Sequence, residues 1–183
     1  KTRDDACGEA FDKVGRTIGL SYPGGPEIDK LAKLGDKYAI DLPRVMIDTN
    51  DYDFSFSGLK SAVLNFVNKS KMTNTSFKNE DLAASFQQAV ADVLVSKTIK
   101  ACKETNLKVL TLAGGVSANS FLRESMKNAC EKENIKLCIP SLKLCTDNAA
   151  MIGCAGYYEY LKGNFADLDL NAYPNLKLDN IAI

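Results

Sequence analysis

Residues 108–151 constrain this chain more than any other stretch. Lys108-Val-Leu-Thr-Leu-Ala113 reads as a strand that empties into Gly114-Gly115. A helix opens near Ser117-Ala-Asn119, a second strand follows at 135–139, and Cys145-Thr-Asp-Asn-Ala-Ala-Met151 starts another helix. Strands alternating with helices specify an α/β fold. A buried strand that ends in paired glycines leaves backbone N–H groups pointing outward with no side chain in front of them, a geometry that receives phosphate. Asp147 stands where the second strand gives way to a helix. Its carboxylate is therefore free to face the same crevice, at the carboxyl ends of the strands. One phosphate cradle and one carboxylate are the minimum for metal-assisted chemistry on a nucleotide.

The chain has 183 residues, which suits one domain and buries about 70% of an extended chain's surface. Lys plus Arg equals Asp plus Glu at 23 each, so any nucleic acid must be held by a local patch rather than by overall charge. No apolar run reaches the roughly 18 residues that span a bilayer, and no charged-then-apolar leader opens the sequence. The expectation is a cytoplasmic protein without membrane contact. Six cysteines, none in a Cys-x-x-Cys pair, read as small buried hydrophobes in a reducing compartment. Cys145 beside Asp147 has no histidine to act as its base, because the chain contains none.

Residues 4–19 make an amphipathic helix with an apolar stripe of Ala6, Ala10, Phe11, Val14 and Ile18. Asp5, Glu9, Asp12 and Arg16 share the opposite face, either as a solvated surface or as part of a site. Tyr22-Pro-Gly-Gly-Pro26 is a turn in which Gly24 and Gly25 supply any left-handed geometry, and it leads into a short helix carrying Asp29. Residues 41–57 read as an irregular hairpin or extended arm, after which Ser57 caps a helix to about residue 68. Residues 79–103 form the longest helix, with Leu82, Phe86, Ala89, Val90, Val93 and Leu94 as its core stripe. Asn119 either caps the next helix or holds a ligand. Thr146 can cap the last helix, and Asp147 near its start suits the helix dipole whether or not it binds anything. Lys60, Lys69, Lys71 and Lys78 form a basic cluster that serves either as a wet surface or for nucleic-acid phosphates.

Five motifs carry a resemblance to a known family. They are Asp4-Asp-Ala-Cys-Gly-Glu-Ala-Phe-Asp-Lys13, Tyr22-Pro-Gly-Gly-Pro26, Phe54-Ser-Phe-Ser-Gly-Leu-Lys60, Leu112-Ala-Gly-Gly-Val-Ser-Ala-Asn119 and Leu144-Cys-Thr-Asp-Asn-Ala-Ala-Met151. In that order they resemble the TsaD family, the tRNA adenosine threonylcarbamoyltransferases once labelled O-sialoglycoprotein endopeptidases. The resemblance implies an actin-like ATPase fold with two ribonuclease-H-like lobes and a nucleotide between them. It further implies that Asp12 accepts hydrogen bonds from the ribose, that Gly25 lets backbone approach the ligand, and that Asp29 is a second ribose or base acceptor. Gly114 and Gly115 receive phosphate, Asn119 holds substrate, and Asp147 joins two histidines around a divalent metal, iron or zinc.

Against that plan the chain is the second, C-terminal lobe, helix-rich and incomplete, because the first lobe and the His-x-x-x-His pair are absent. The expected division is a mainly helical part at 1–104, a nucleotide- and metal-facing part at 105–163, and a tail at 164–183. The implied partners are threonylcarbamoyl-AMP or an adenine nucleotide, tRNA, and TsaB-like and TsaE-like proteins, with self-association or pairing to the missing N-terminal half. The fragment alone is expected to be inactive. Two alternatives stay open: a small-molecule kinase of the same fold, and a non-catalytic partner-binding lobe. A peptidase is disfavoured, since there is no His-Glu-x-x-His and no base for a serine or cysteine.

Overall fold

The computed structural model describes residues 1–172, so the last part of the expected tail lies outside the described residues. Six α-helices and two short strands follow in the order α1 (Cys7–Thr17), α2 (Gly24–Ala32), α3 (Ser57–Met72), α4 (Asn79–Glu104), β1 (Val109–Thr111), α5 (Ser120–Lys132), β2 (Lys136–Cys138) and α6 (Ala149–Lys162). The fold is helix-rich α/β with a small parallel sheet. The chain divides into two compact units, Lys1–Thr146 and a second that begins at Asp147.

The helix ends are written in the sequence. α1, α3, α4 and α5 are followed by Gly19, Asn74, Asn106 and Asn134, all with φ between 55° and 82°. After α4 the Leu107 N–H donates to the Cys102 carbonyl (2.9 Å) and the Asn106 N–H to that of Lys103 (3.2 Å). After α5 the Ile135 N–H reaches Cys130 (2.9 Å) in the same way. Glycine and asparagine tolerate this left-handed residue, and the paired bonds satisfy the last carbonyls of the helix. α3 starts differently from the sequence expectation. Ser57 is its first residue, and the cap comes from Asp4, whose Oδ1 accepts the N–H groups of Phe56 (2.9 Å) and Ser57 (3.2 Å).

The main core joins α1 to α4. Ala10, Phe11 and Val14 of α1, Ile28 of α2, Leu59 and Val63 of α3, and Leu82, Phe86 and Val90 of α4 are all buried. Phe11 and Phe86 meet edge to face with centroids 5.0 Å apart. α1 and α2 approach closely at Gly24, where an added Cβ would lie 2.8 Å from the Phe11 carbonyl oxygen and 2.9 Å from Asp12 Cα. Glycine is thus needed here for contact, not for a left-handed turn, which neither Gly24 nor Gly25 adopts. The acidic face expected on α1 is largely neutralised: Asp5, just before the helix, pairs with Lys13 (3.0 Å) and Lys60 (2.9 Å), and Glu9 pairs with Lys13 (2.7 Å).

A smaller core of Cys102, Met126, Cys130 and Ile135 lies against Leu110 and Leu137, seating the sheet on α5 and the end of α4. β1 and β2 pair in parallel with Leu110 opposite Leu137, and α5 makes the crossover such strands require. β1 was expected to be buried, yet Val109 and Thr111 are exposed and Leu110 half-buried, since β2 is the only neighbour the described sheet provides. The arm at 41–56 is irregular and pinned to α4. Arg44 bonds Asp92 (2.9 Å), while buried Lys97 donates to the Met46 carbonyl (3.0 Å), Thr49 Oγ1 (2.8 Å) and Asp51 (3.1 Å). In the second unit no described residue of α6 is buried.

Two outcomes test this packing. Gly24→Ala is expected to cost about 1–3 kcal/mol in urea unfolding, since the added methyl meets backbone on two sides. Gly115→Ala, with nothing within 4 Å of its Cβ, should stay within about 0.5 kcal/mol. Acid gives the second. Lys60 and Lys13 hold the Asp5 carboxyl below its usual range, as Lys97 does for Asp51 and Arg3 for Asp53. Because these folded values are depressed, their stabilisation is complete above the unfolded carboxylate value and is lost as pH falls through the folded ones. Melting followed by circular dichroism should hold steady from about pH 8 to 6 and drop between about pH 4 and 2.5.

Candidate functional site: the glycine turn and its neighbours

The site is built where β1 ends. The Leu112 N–H still donates to the Cys138 carbonyl (3.0 Å), extending the ladder by one step. Gly114 then takes φ 86°, a value that strains any residue with a Cβ. Gly115–Ala118 form a single 3-10 turn, closed by the Ser117 N–H on the Gly114 carbonyl (2.9 Å), and the α-helix begins only at Ser120. Both glycines are exposed, and a Cβ on either would meet nothing within 4 Å. The first amides of such a turn have no partner within it.

The start of α5 is held from two sides. Asn119, buried, accepts the Leu122 N–H on Oδ1 (2.8 Å) and donates Nδ2 to Gln87 of α4 (2.7 Å). Capping, one of its two expected roles, thus occupies its oxygen. The Asp29 carboxylate accepts the Ser120 N–H at 3.2 Å on each oxygen and the Ser120 hydroxyl at 2.9 Å. Asp29 lies in the second turn of α2, one turn beyond Gly25 and on the same face. Asp12 Oδ1 accepts the Gly24 N–H (2.8 Å), next to Gly25. Asp12 thus bonds the residue before Gly25, while Asp29 and Asn119 both hold the start of α5, a few residues after Gly114 and Gly115. Each polar member has a scaffold duty at a helix start.

Asp147 belongs to the second unit. It is exposed and precedes Asn148, whose Oδ1 accepts the Met151 N–H (2.9 Å). The side-chain cap of α6 is thus Asn148, not Thr146, because the helix starts later than its composition suggests. Among the described residues no three or more Asp, Glu or Cys stand close enough to hold a metal ion. With no histidine in the chain, the described residues do not make a metal site, and Asp147 offers one carboxylate.

Sequence reasoning missed Arg123. Its Nε donates to the Ser117 carbonyl (2.5 Å), and its Nη2 donates to the Pro140 carbonyl (2.6 Å) and to Cys145 Sγ (3.1 Å). The Cys145 thiol lies below its ordinary range, through the Ser117 hydroxyl first and then the Arg123 N–H and charge. By contrast, burial pushes the Cys7 thiol up to about 12. An arginine in the second turn of a helix carries no pattern that announces such contacts. Two cavities of about 520 Å³ each lie along α4 and α5 and do not include the glycine turn.

These features define a helix-rich α/β module with a small parallel sheet and an unobstructed glycine turn at the strand exit. The chain belongs to the TsaD family, whose model, described as tRNA N6-adenosine threonylcarbamoyltransferase, matches residues 1–154. Proteins with that description from Clostridium botulinum (strain 657 / Type Ba4) and Thermosipho africanus (strain TCF52B) are each 57% identical over 178 residues, 97% of this chain. One from Clostridioides difficile (strain 630) is 54% identical over 179 residues, 98% of this chain. The chain spans about half the length of these curated relatives, 52–53% of each. Among the described residues no helix is long and apolar enough to cross a membrane.

The metal reading gives a direct check on the chain alone. Equilibrium dialysis against zinc or ferrous iron should give no binding tighter than about 100 µM, as befits isolated carboxylates. Tight one-to-one uptake would mean that a ligand set exists outside the residues named above.

Proposed function

We propose that this chain is the C-terminal part of a transferase that moves a threonylcarbamoyl group from threonylcarbamoyl-AMP to an adenosine beside the anticodon of tRNA. The observation that carries this reading is the junction where Asp29 of α2 meets Ser120 at the start of α5, immediately beyond the open Gly114-Gly115 turn. It joins the residue types an adenylate needs: unobstructed amides for phosphate and fixed carboxylates for hydroxyls.

In the reaction the exocyclic amine of adenosine attacks the carbamoyl carbon of the mixed anhydride. The bond from that carbon to the phosphate oxygen breaks, AMP leaves, and the amine loses a proton to solvent. Gly114 and Gly115 present amides to the departing phosphate, whose charge grows as the bond breaks. Asp12 and Asp29 accept from ribose or base, Gly25 allows close approach, and Asn119 fixes the start of α5 behind the ligand. Asp147 is this chain's single contribution to a metal site whose remaining ligands lie elsewhere, and no step is derived through that metal.

The same reading makes the chain the second lobe of an actin-like fold, acting in the cytoplasm on tRNA with TsaB-like and TsaE-like partners. Met151, Ile152, Tyr157, Tyr160 and Leu161 of α6 are exposed large apolar side chains, which suits pairing with the N-terminal half or with another protein.

The test uses the full-length protein with its partners, tRNA and threonylcarbamoyl-AMP. Wild type should modify the tRNA. Asp147→Ala should lower turnover by about a thousandfold or more while costing less than about 1 kcal/mol, because Asp147 is exposed. The chain alone should give no product. Wild-type turnover in the variant would remove Asp147 from the mechanism, and an inactive wild type would overturn the reading.

A further inference from the structure

Arg123 touches both segments leaving the sheet. Through Nε it holds the carbonyl of Ser117, which closes the glycine turn after β1. Through Nη2 it holds the carbonyl of Pro140 and the sulfur of Cys145, both in the segment after β2. A planar guanidinium fixes the directions of its N–H groups relative to one another, so three acceptors on one fork are also fixed relative to one another. The side chain is half-buried, and Ser117 and Cys145 are buried. The contacts therefore lie behind the exposed glycines.

We propose that Arg123 is a positioning residue that sets the Gly114-Gly115 turn in the shape that receives the phosphate of an adenylate. This rests on the reading of that turn given above. Arg123 does not touch the ligand. It holds the Ser117 carbonyl away from the phosphate, so that the turn presents amides, and it ties the turn to the second strand so that the presentation survives thermal motion. A carbonyl released from the guanidinium could rotate toward the phosphate and repel it. The ribose and base, held by other residues, should not register the change.

That asymmetry makes the role testable in the full-length protein by calorimetric titration with AMP and, separately, with adenosine. Arg123→Ala and Arg123→Lys are compared with Lys127→Ala, which breaks only a surface pair with Glu131 on the same helix. The role requires AMP affinity to fall about tenfold or more in both Arg123 variants, with adenosine affinity within about twofold of wild type and the Lys127 variant unchanged. Lysine should not rescue, since it keeps the charge and loses the fork. Should Arg123→Ala fail to fold, the lysine variant carries the test. Equal losses for AMP and adenosine mean a merely structural arginine and overturn the role, as does unchanged AMP affinity. If wild type binds AMP no more tightly than adenosine, the phosphate reading of the turn fails and this role with it. A wild-type preference for AMP that the variants retain sinks only the role of Arg123.

Discussion

The structure depends on one helix being buried on nearly all sides. In α4, Leu82 through Gln87, Ala89 to Ala91, and Val93 are all buried, more than one face of a surface helix can supply. Four alanines among them let neighbours come close: α2 and α5 both pack along it, and α3 and α1 complete the cluster. Each large member, Leu82, Phe86, Val90 or Val93, contributes about 1.5–3 kcal/mol by leaving water. α4 also carries the polar ties. Gln87 holds Asn119 at the start of α5, and Lys97 and Asp92 hold the arm. The glycine turn thus inherits its position from a hydrophobic post that touches no ligand.

What sequence could deliver was the periodic part. α4, the apolar stripe of α1, the strand-glycine-helix order and the glycine or asparagine after α1, α3, α4 and α5 all follow from rules that act within a few residues. The rest was set by contacts between distant segments. Asp4 caps a helix that starts more than 50 residues later, so Ser57 looked like the cap. Gly24 is required by the proximity of α1, although its place beside prolines suggested a turn. Lys97 reads as one surface lysine among many, yet it is buried because the irregular arm brings it a carbonyl, a hydroxyl and a carboxylate. Arg123 escaped notice for the same reason. Of the candidate site, the residues were legible and their connections were not.

On the reading proposed above, the surfaces left apolar have a common explanation. β1 has one hydrogen-bonded neighbour among the described residues, and its Val109 is exposed. α6 is rich in apolar side chains and has none buried. A strand edge invites pairing and an apolar helix face invites cover, and isolated chains with both features tend to associate. The relatives are about twice as long as this chain, and their additional length is the natural source of that cover.

The charges around the turn also dictate how an adenylate would lie. Asp29 already holds the amide at the start of α5, so a phosphate placed there would face a like charge. At about 6 Å and an effective dielectric near 20, that repulsion is roughly 3 kcal/mol. On the reading proposed above the phosphate is therefore driven away from α5's first amide and toward the glycine amides. Asp12 and Asp29 are acceptors only, so the ligand groups they attract are donors: ribose hydroxyls or the amine of a base. Because both carboxylates are held by backbone N–H groups, they do not reorganise when such a donor arrives, and little ordering entropy is spent at binding. The scaffold duties of these residues thus do not compete with the proposed site. On the reading proposed above they set a polarity, phosphate at the glycines and hydroxyls at the carboxylates, before any ligand is present.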